Sequence, residues 1–286
     1  MWLGDDTAVV GSDGPVLFAT DLVAEGVHFE RRLSSLADVG WKVLTANVSD
    51  VAAMGGRPSR AVVAVAGAWG DDLAALYQGL GEAAAAYDCP VVGGDLSAAP
   101  VGGGLVVSVA VLGVLEGRPP VLRSGGRPGD RLFLTGPLGA AAAGLAALRA
   151  GHLEPADDRA LTLVQAHRRP VARVAEGRRA ALAGATAMID VSDGLGLDLD
   201  RLCTASGVGA ELHTLACAPG ATRHDALGGG EDYELLIAAP EGADVPGAFV
   251  TAGLARPIEV GRLVDDAAVR TLEGRHLEPA GYRHGA

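Results

Sequence analysis

Lysine is almost absent from this chain. Of 23 basic residues only Lys42 is a lysine, against 35 acidic ones, so the formal net charge at pH 7 is −12. That balance argues against nucleic acid or an anionic membrane surface as a partner. Aromatic residues make up only 4% of the chain, so a core must be built from alanine, valine and leucine. No uninterrupted apolar stretch reaches roughly 18 residues, the length needed to span a membrane, and no basic-then-apolar leader is present. Cys89, Cys203 and Cys217 form no C-x-x-C pair and are too few to pair fully among themselves, which reads as buried thiols in a reducing cytoplasm. Also missing are the phosphate-binding spacing G-x-x-x-x-G-K-[ST] and a strand followed by G-x-G-x-x-G.

What is present is acid beside apolar runs. Six segments carry it: Gly4-Asp5-Asp6, Ala19-Thr20-Asp21, Asn47-Val48-Ser49-Asp50, Gly93-Gly94-Asp95, Asp190-Val191-Ser192-Asp193 and Gly230-Glu231-Asp232. Gathering unpaired carboxylates costs several kcal/mol per ion, roughly, so a fold that does so must neutralise them with cations. Repeated acids, glycine amides and no phosphate-binding lysine motif together point to phosphates held through magnesium. Taken singly, each segment is as well read as a turn or a helix cap.

The 286 residues, 49% of them apolar and 42 of them glycine, suffice for two ordinary domains. Residues 7–10 and 15–20 read as a hairpin ending on Asp21. Leu36 to Gly55 has helical spacing that puts Asn47 and Asp50 on one face. A strand over 61–66, a helix over 71–87, a strand over 90–92 ending on Gly-Gly-Asp and a long alternating strand over 105–115 follow. Arg, Pro and Gly between 116 and 129 mark a boundary, giving domains 1–117 and 118–286. The second part reads as a strand at 131–135, helices to 182, a strand at 185–190, a helix at 195–205 capped by Ser192 or Asp193, and strands at 233–238, 249–253 and 258–263. The fold class is therefore α/β (α+β) in two domains.

In order along the chain, Gly-Asp-Asp-Thr-Ala-Val-Val (4–10), Thr-Asp-Leu-Val-Ala-Glu-Gly-Val-His-Phe (20–29), Asn-Val-Ser-Asp-Val-Ala-Ala-Met-Gly (47–55), Gly-Gly-Asp (93–95), Arg-Ser-Gly (123–125), Asp-Val-Ser-Asp-Gly-Leu (190–195) and Gly-Gly-Glu-Asp-Tyr-Glu-Leu (229–235) closely resemble the thiamine-monophosphate kinases. The last two motifs separate those kinases from the wider superfamily of aminoimidazole ribonucleotide synthetase-like ATP-using enzymes. The resemblance implies transfer of the ATP γ-phosphoryl group to thiamine monophosphate, with ATP as co-substrate and several Mg2+ ions. It implies metal ligands at Asp6, Thr20, Asp21, Asp50, Asp95, Asp190 and Asp193. ATP contacts would fall to Gly94, Asp95, Arg123 and Ser192, and His28, Glu231 and Tyr282 would hold the thiamine end. No nucleophilic side chain is expected, because the accepting phosphate is already ionised near neutral pH. The resemblance further implies a ferredoxin-like N-terminal mixed sheet that pairs in a homodimer, covering the strand at 105–115, an aggregation risk if left as an exposed edge.

Departures from the pattern are local. The segment that normally precedes Gly4 is absent, Ala19 stands where a serine often adds an oxygen, Leu96-Ser97-Ala98-Ala99 replaces a threonine pair and an arginine, and 217–227 is short. Two alternatives are another ATP-using enzyme of the superfamily and a non-catalytic paralogue that binds Mg-ATP or a thiamine phosphate. Selenophosphate synthesis and hydrogenase maturation would want cysteines near one terminus, where none of the three lies.

Overall fold

The computed structural model describes residues 8–11, 14–67, 73–98, 103–152 and 157–283; Asp5 and Asp6 lie outside them. The N-terminal sheet contains β1 (Ala8–Gly11), β2 (Pro15–Ala24), β3 (Arg57–Gly67), β4 (Val91–Ala98) and β5 (Val106–Val114), in spatial order β1-β2-β5-β3-β4. Helix α1 (Leu36–Ala53) joins β2 to β3, and α2 (Leu73–Ala86) makes the crossover between β3 and β4, the parallel pair. A capping box starts α1: the Ser35 hydroxyl accepts from Asp38 N–H while the Asp38 carboxylate accepts from Ser35 N–H.

Side-chain alternation decides which face of this sheet is core. Leu17, Val63, Val65, Val107, Val109 and Val111 are buried and share one cluster with Val43, Val48, Val51, Leu76 and Leu80 of the two helices. On the opposite face Phe18, Leu22, Val62 and Leu112 stay 44%, 50%, 45% and 42% exposed.

Three expectations about this sheet need correction. β2 does not end at Asp21 but continues to Ala24, because it pairs with β5 from Val16 to Ala24. β4 likewise runs through Gly93-Gly94-Asp95 instead of stopping there, paired to β3 as far as Ala98. Its glycine is a packing requirement, since a Cβ at Gly94 would stand 1.9 Å from the Val63 carbonyl oxygen. The alternating strand β5 lies between β2 and β3 and is not an edge; what it leaves uncovered is part of a sheet face.

The C-terminal sheet comprises β6 (Arg131–Leu134), β7 (Ala187–Val191), β8 (Gly209–Leu212), β9 (Glu234–Ala239), β10 (Ile258–Val264), β11 (Arg270–Leu272) and β12 (Arg275–His276), ordered β12-β11-β8-β10-β6-β9-β7. The helices of this half are α3 (Ala140–Arg149), α4 (Asp158–Arg168), α5 (Val174–Leu182), α6 (Leu195–Ser206), α7 (Arg223–Gly228) and α8 (Val245–Thr251). Both sheet faces are packed. Ile189, Val191, Leu236 and Ala238 meet Leu199 and Leu202 of α6, while Met188, Leu235 and Ile237 meet Ala180 of α5 and Phe249 of α8. Near-continuous apolar runs in β7 and β9 follow from that double burial.

The segment at 249–253 is the end of α8, not a strand. Asp244 accepts from Gly247 N–H and Pro246 sits in the first turn; so short an apolar run carries no decisive periodicity. Helix α6 forms where expected, but its N-cap is Gly194, with no side-chain cap bond from Ser192 or Asp193.

The two halves are packed directly on each other. Ala53 of α1 belongs to the cluster of Met188 and Phe249. Helix α5 crosses α1 so closely that a Cβ at Gly177 would lie 2.1 Å from the Ala52 carbonyl oxygen. Among the described residues no helix is long and apolar enough to cross a membrane.

Candidate active site

A cavity of about 740 Å³ opens between the two halves. Thr20, Asp21 and His28 line it from β2 and the loop that follows, and Asp50 from α1. Asp190, Ser192 and Asp193 line it from the β7–α6 connection, Glu231 from the turn before β9, and Tyr282 from the C-terminal segment. Nine sequence-expected residues thus meet at one place. Gly94, Asp95 and Arg123 do not line this cavity. Asp95 lies on the exposed β4 strand, where it accepts from the Ser97 hydroxyl at 2.8 Å. Arg123 lies in a short turn (Arg123–Gly125) whose first carbonyl accepts from the Ser206 hydroxyl at 2.6 Å.

Each carboxylate is placed by a local device. Asp21 is fixed through its backbone, whose N–H donates to Asn47 Oδ1 at 3.0 Å, while Asn47 Nδ2 donates to the Val43 carbonyl at 2.9 Å. The expected Asn47/Asp50 face therefore splits its work, with Asn47 pinning β2 and Asp50 facing the cavity. Thr20 Oγ1 donates sideways to the Val109 carbonyl at 3.0 Å; strand alternation sends the Thr20 and Asp21 side chains to opposite faces. Asp190 Oδ2 accepts from the buried Ser49 hydroxyl at 2.6 Å.

Asp193 sits in a loop organised by a residue that the sequence did not reveal. Asp198 Oδ2 accepts from the backbone N–H groups of Ser192, Asp193 and Gly194 at 3.1, 2.9 and 3.1 Å. Burial pushes the Asp198 carboxyl up to about 6, against those amides and Arg201. Arg201 Nη1 bridges Asp193 Oδ2 at 2.5 Å and Asp198 Oδ1 at 2.7 Å.

The same loop gathers the remaining site. Tyr233 N–H donates to the Val191 carbonyl, Glu231 N–H to Ser192 and Tyr282 N–H to Asp193, at 3.0, 2.7 and 2.9 Å. Glu231 and Tyr233 hold left-handed φ of 58° and 51°, a conformation that non-glycine residues keep only where surrounding contacts impose it. Burial, and after it the carboxylates of Glu231, Asp21, Asp190 and Asp50, drives the Tyr233 hydroxyl well above the ordinary phenol value. Lys42 Nζ lies 2.8 Å from Glu231 Oε2. Burial would raise the Glu231 carboxyl, yet Lys42 and then His167 outweigh it and hold it down at about 2. Asp232 points away, accepting from Gly139 and Ala141 N–H at the start of α3, and burial lifts it to about 7.

Among the described residues no three acidic, histidine or cysteine side chains come close enough to cage one ion. Oxygen donors spread singly around a cavity suit Mg2+, which is commonly held by one or two carboxylates together with substrate phosphates. The cysteines take no part. Burial raises the Cys89 and Cys203 thiols to about 11 and about 12, and none of the three lines the cavity.

Comparison with known proteins agrees with this layout. The profile of "AIR synthase related protein, N-terminal domain" matches residues 4–115, and that of its C-terminal domain matches residues 127–272. Thiamine-monophosphate kinase of Aquifex aeolicus is 35% identical over 302 residues, covering 99% of this chain and 92% of that protein. The Bacillus subtilis protein of the same name is 37% identical over 249 residues, covering 82% and 75%. The solved complex of AaThiL with AMPPCP and TMP superposes with a TM-score of 0.87 at 34% identity, covering 99% of this chain and 91% of that one.

Proposed function

Because the chain belongs to the AIR synthase related family, and within it to the thiamine-monophosphate kinases, we propose that it transfers the γ-phosphoryl group of ATP to thiamine monophosphate, giving thiamine diphosphate and ADP. The observation that carries this reading is the meeting of Asp21, Asp50, Asp190 and Asp193 with Glu231 and Tyr282 around one cavity. Likeness to a complex holding AMPPCP and TMP supports an ATP-like nucleotide and thiamine monophosphate as its occupants.

Donor and acceptor are both anions, so the protein's task is positioning and charge neutralisation. Bound Mg2+ would supply the neutralisation. Asp21, Asp50, Asp190 and Asp193, which line the cavity, would hold it, and the family motif alone adds Asp6, Asp95 and an oxygen of Thr20. Ser49 keeps the Asp190 carboxylate in place, and Asp198 fixes the amides of the Asp193 loop. Gly94, Asp95, Arg123 and Ser192 serve the nucleotide, an assignment supported by the family motif. His28, Glu231 and Tyr282 serve the thiamine end: a carboxylate accepts from an aminopyrimidine, and a tyrosine ring offers its face to a cationic heterocycle. No side chain is needed as base or nucleophile, and transfer is direct.

We divide the chain after residue 117 and place it in the cytoplasm, without nucleic-acid or membrane partners. The uncovered sheet face of Phe18, Leu22, Val62 and Leu112 is assigned to a second copy of the chain, giving a homodimer. The test of the reaction is ADP release by the purified protein with Mg-ATP. A rate that requires thiamine monophosphate and saturates with it supports the assignment, and equal ADP release without it contradicts it.

A further inference from the structure

The chain's one lysine is buried behind the wall of this site, against the cavity residue Glu231. Lys42 is 4% exposed, on α1 between Trp41 and Val43. Stability alone favours an apolar residue at such a place, since a buried ion pair seldom repays its desolvation. Arginine fills the other 22 of the 23 basic positions, 23 minus the single lysine. A compact ammonium on a straight stem, unlike a guanidinium fork, delivers a point charge to one oxygen. That oxygen is Glu231 Oε2, 2.8 Å away and 189 residues distant in sequence. His167 of α4, itself 4% exposed, also brings Nδ1 to 3.3 Å of the same Oε2.

The consequence is a carboxylate with one oxygen hydrogen-bonded by Lys42 and approached by His167. Glu231 is held at φ 58° and its N–H is bonded to the Ser192 carbonyl, so its backbone is fixed as well. The contacts from Lys42 Nζ and His167 Nδ1 both fall on Oε2, while the residue itself lines the cavity. Oε1 remains as the acceptor for a ligand, and its direction is set before the ligand arrives.

We propose that Lys42, acting with His167 through Glu231, is a positioning residue that sets the site's preference for a heterocycle bearing an amino group. This rests on the kinase reading above. Lys42 touches neither substrate; it decides where the acceptor oxygen points and cancels the carboxylate's charge, so that recognition comes from hydrogen-bond direction and not from bulk attraction of cations.

The test compares KM and kcat for thiamine monophosphate, for its analogue with an oxo group in place of the pyrimidine amino group, and for Mg-ATP, in wild type, Lys42→Met and the double variant Lys42→Met/Glu231→Gln. In Lys42→Met, KM for thiamine monophosphate rises about 10- to 100-fold, while KM for Mg-ATP and kcat at saturation stay within about twofold. The wild-type preference for the amino over the oxo compound shrinks by a similar factor. The double variant removes both charges of the pair, so its melting temperature recovers toward wild type while KM for thiamine monophosphate stays high. A structural role alone would instead lower the active fraction equally for all substrates and leave the preference intact. That result, or an unchanged KM, would overturn the positioning role and leave the kinase reading standing. Wild type that turns over Mg-ATP independently of thiamine monophosphate would overturn both.

Discussion

Ser49 Oγ donates to Asp190 Oδ2 at 2.6 Å, tying α1 of the N-terminal half to β7 of the C-terminal half beside the cavity. Both residues are buried, Ser49 at 0% and Asp190 at 2% exposure, so this bond to a carboxyl oxygen has no easy substitute from water. Ser49→Ala should destabilise the protein by about 2 kcal/mol, the usual cost of removing one donor from a buried charged acceptor. It should also lower activity at limiting Mg2+ more than at saturating Mg2+. Denaturant melts and magnesium titrations of the rate check both effects.

Asp193 makes its described side-chain ion pair with Arg201, which keeps Asp198 as a second partner. Asp193→Asn should therefore cost about 1 kcal/mol or less in stability. Turnover should fall by about 10²- to 10³-fold, the scale seen when one preorganised electrostatic contact to a transition state is lost. Near-normal turnover with a native melt would contradict the placement of Asp193 among the metal ligands.

Asp232 provides a pH signature separate from the chemistry. Its carboxyl rises from the ordinary 3.8 to about 7 because burial outweighs the amides it accepts from. Between those values the folded protein binds more protons than the unfolded chain, so stability is favoured below about pH 4 and declines as pH rises toward 7. Subtracting the Asp232→Asn profile from that of wild type should show this fall, at most about 4 kcal/mol across the window. A flat difference would show that the group titrates normally.

Leu112 pairs with Phe18 across β2 and β5 on the uncovered sheet face. Leu112→Glu would place a carboxylate in the middle of any contact made there. Sedimentation velocity should find a dimer for wild type and a monomer for this variant, with near-native secondary structure in both. A wild-type monomer, or a variant that still dimerises, would remove this face from the assembly.

The main helices and the central strands of both sheets were legible because their apolar periodicity is long. β8 was not, nor were β11 and β12, which are only 3 and 2 residues in length. Acids at the cavity were legible as motifs, but their supports were not. Lys42 reads as an ordinary helix lysine until Glu231, 189 residues later, is folded against it. Asp198 reads as a polar residue on an amphipathic helix, with no local sign that three amides of the preceding loop converge on it. The early ends assigned to β2 and β4 share one cause. Glycine and aspartate mark element ends in a sequence pattern, whereas pairing to a neighbouring strand carries β2 and β4 past them.

The most direct test of the central claim is a phosphorus NMR time course of the purified protein with Mg-ATP and thiamine monophosphate. Thiamine diphosphate and ADP should appear in equal amounts, with little inorganic phosphate, and EDTA should stop both together. Loss of ATP to ADP and inorganic phosphate, with the thiamine monophosphate resonance unchanged, would contradict it.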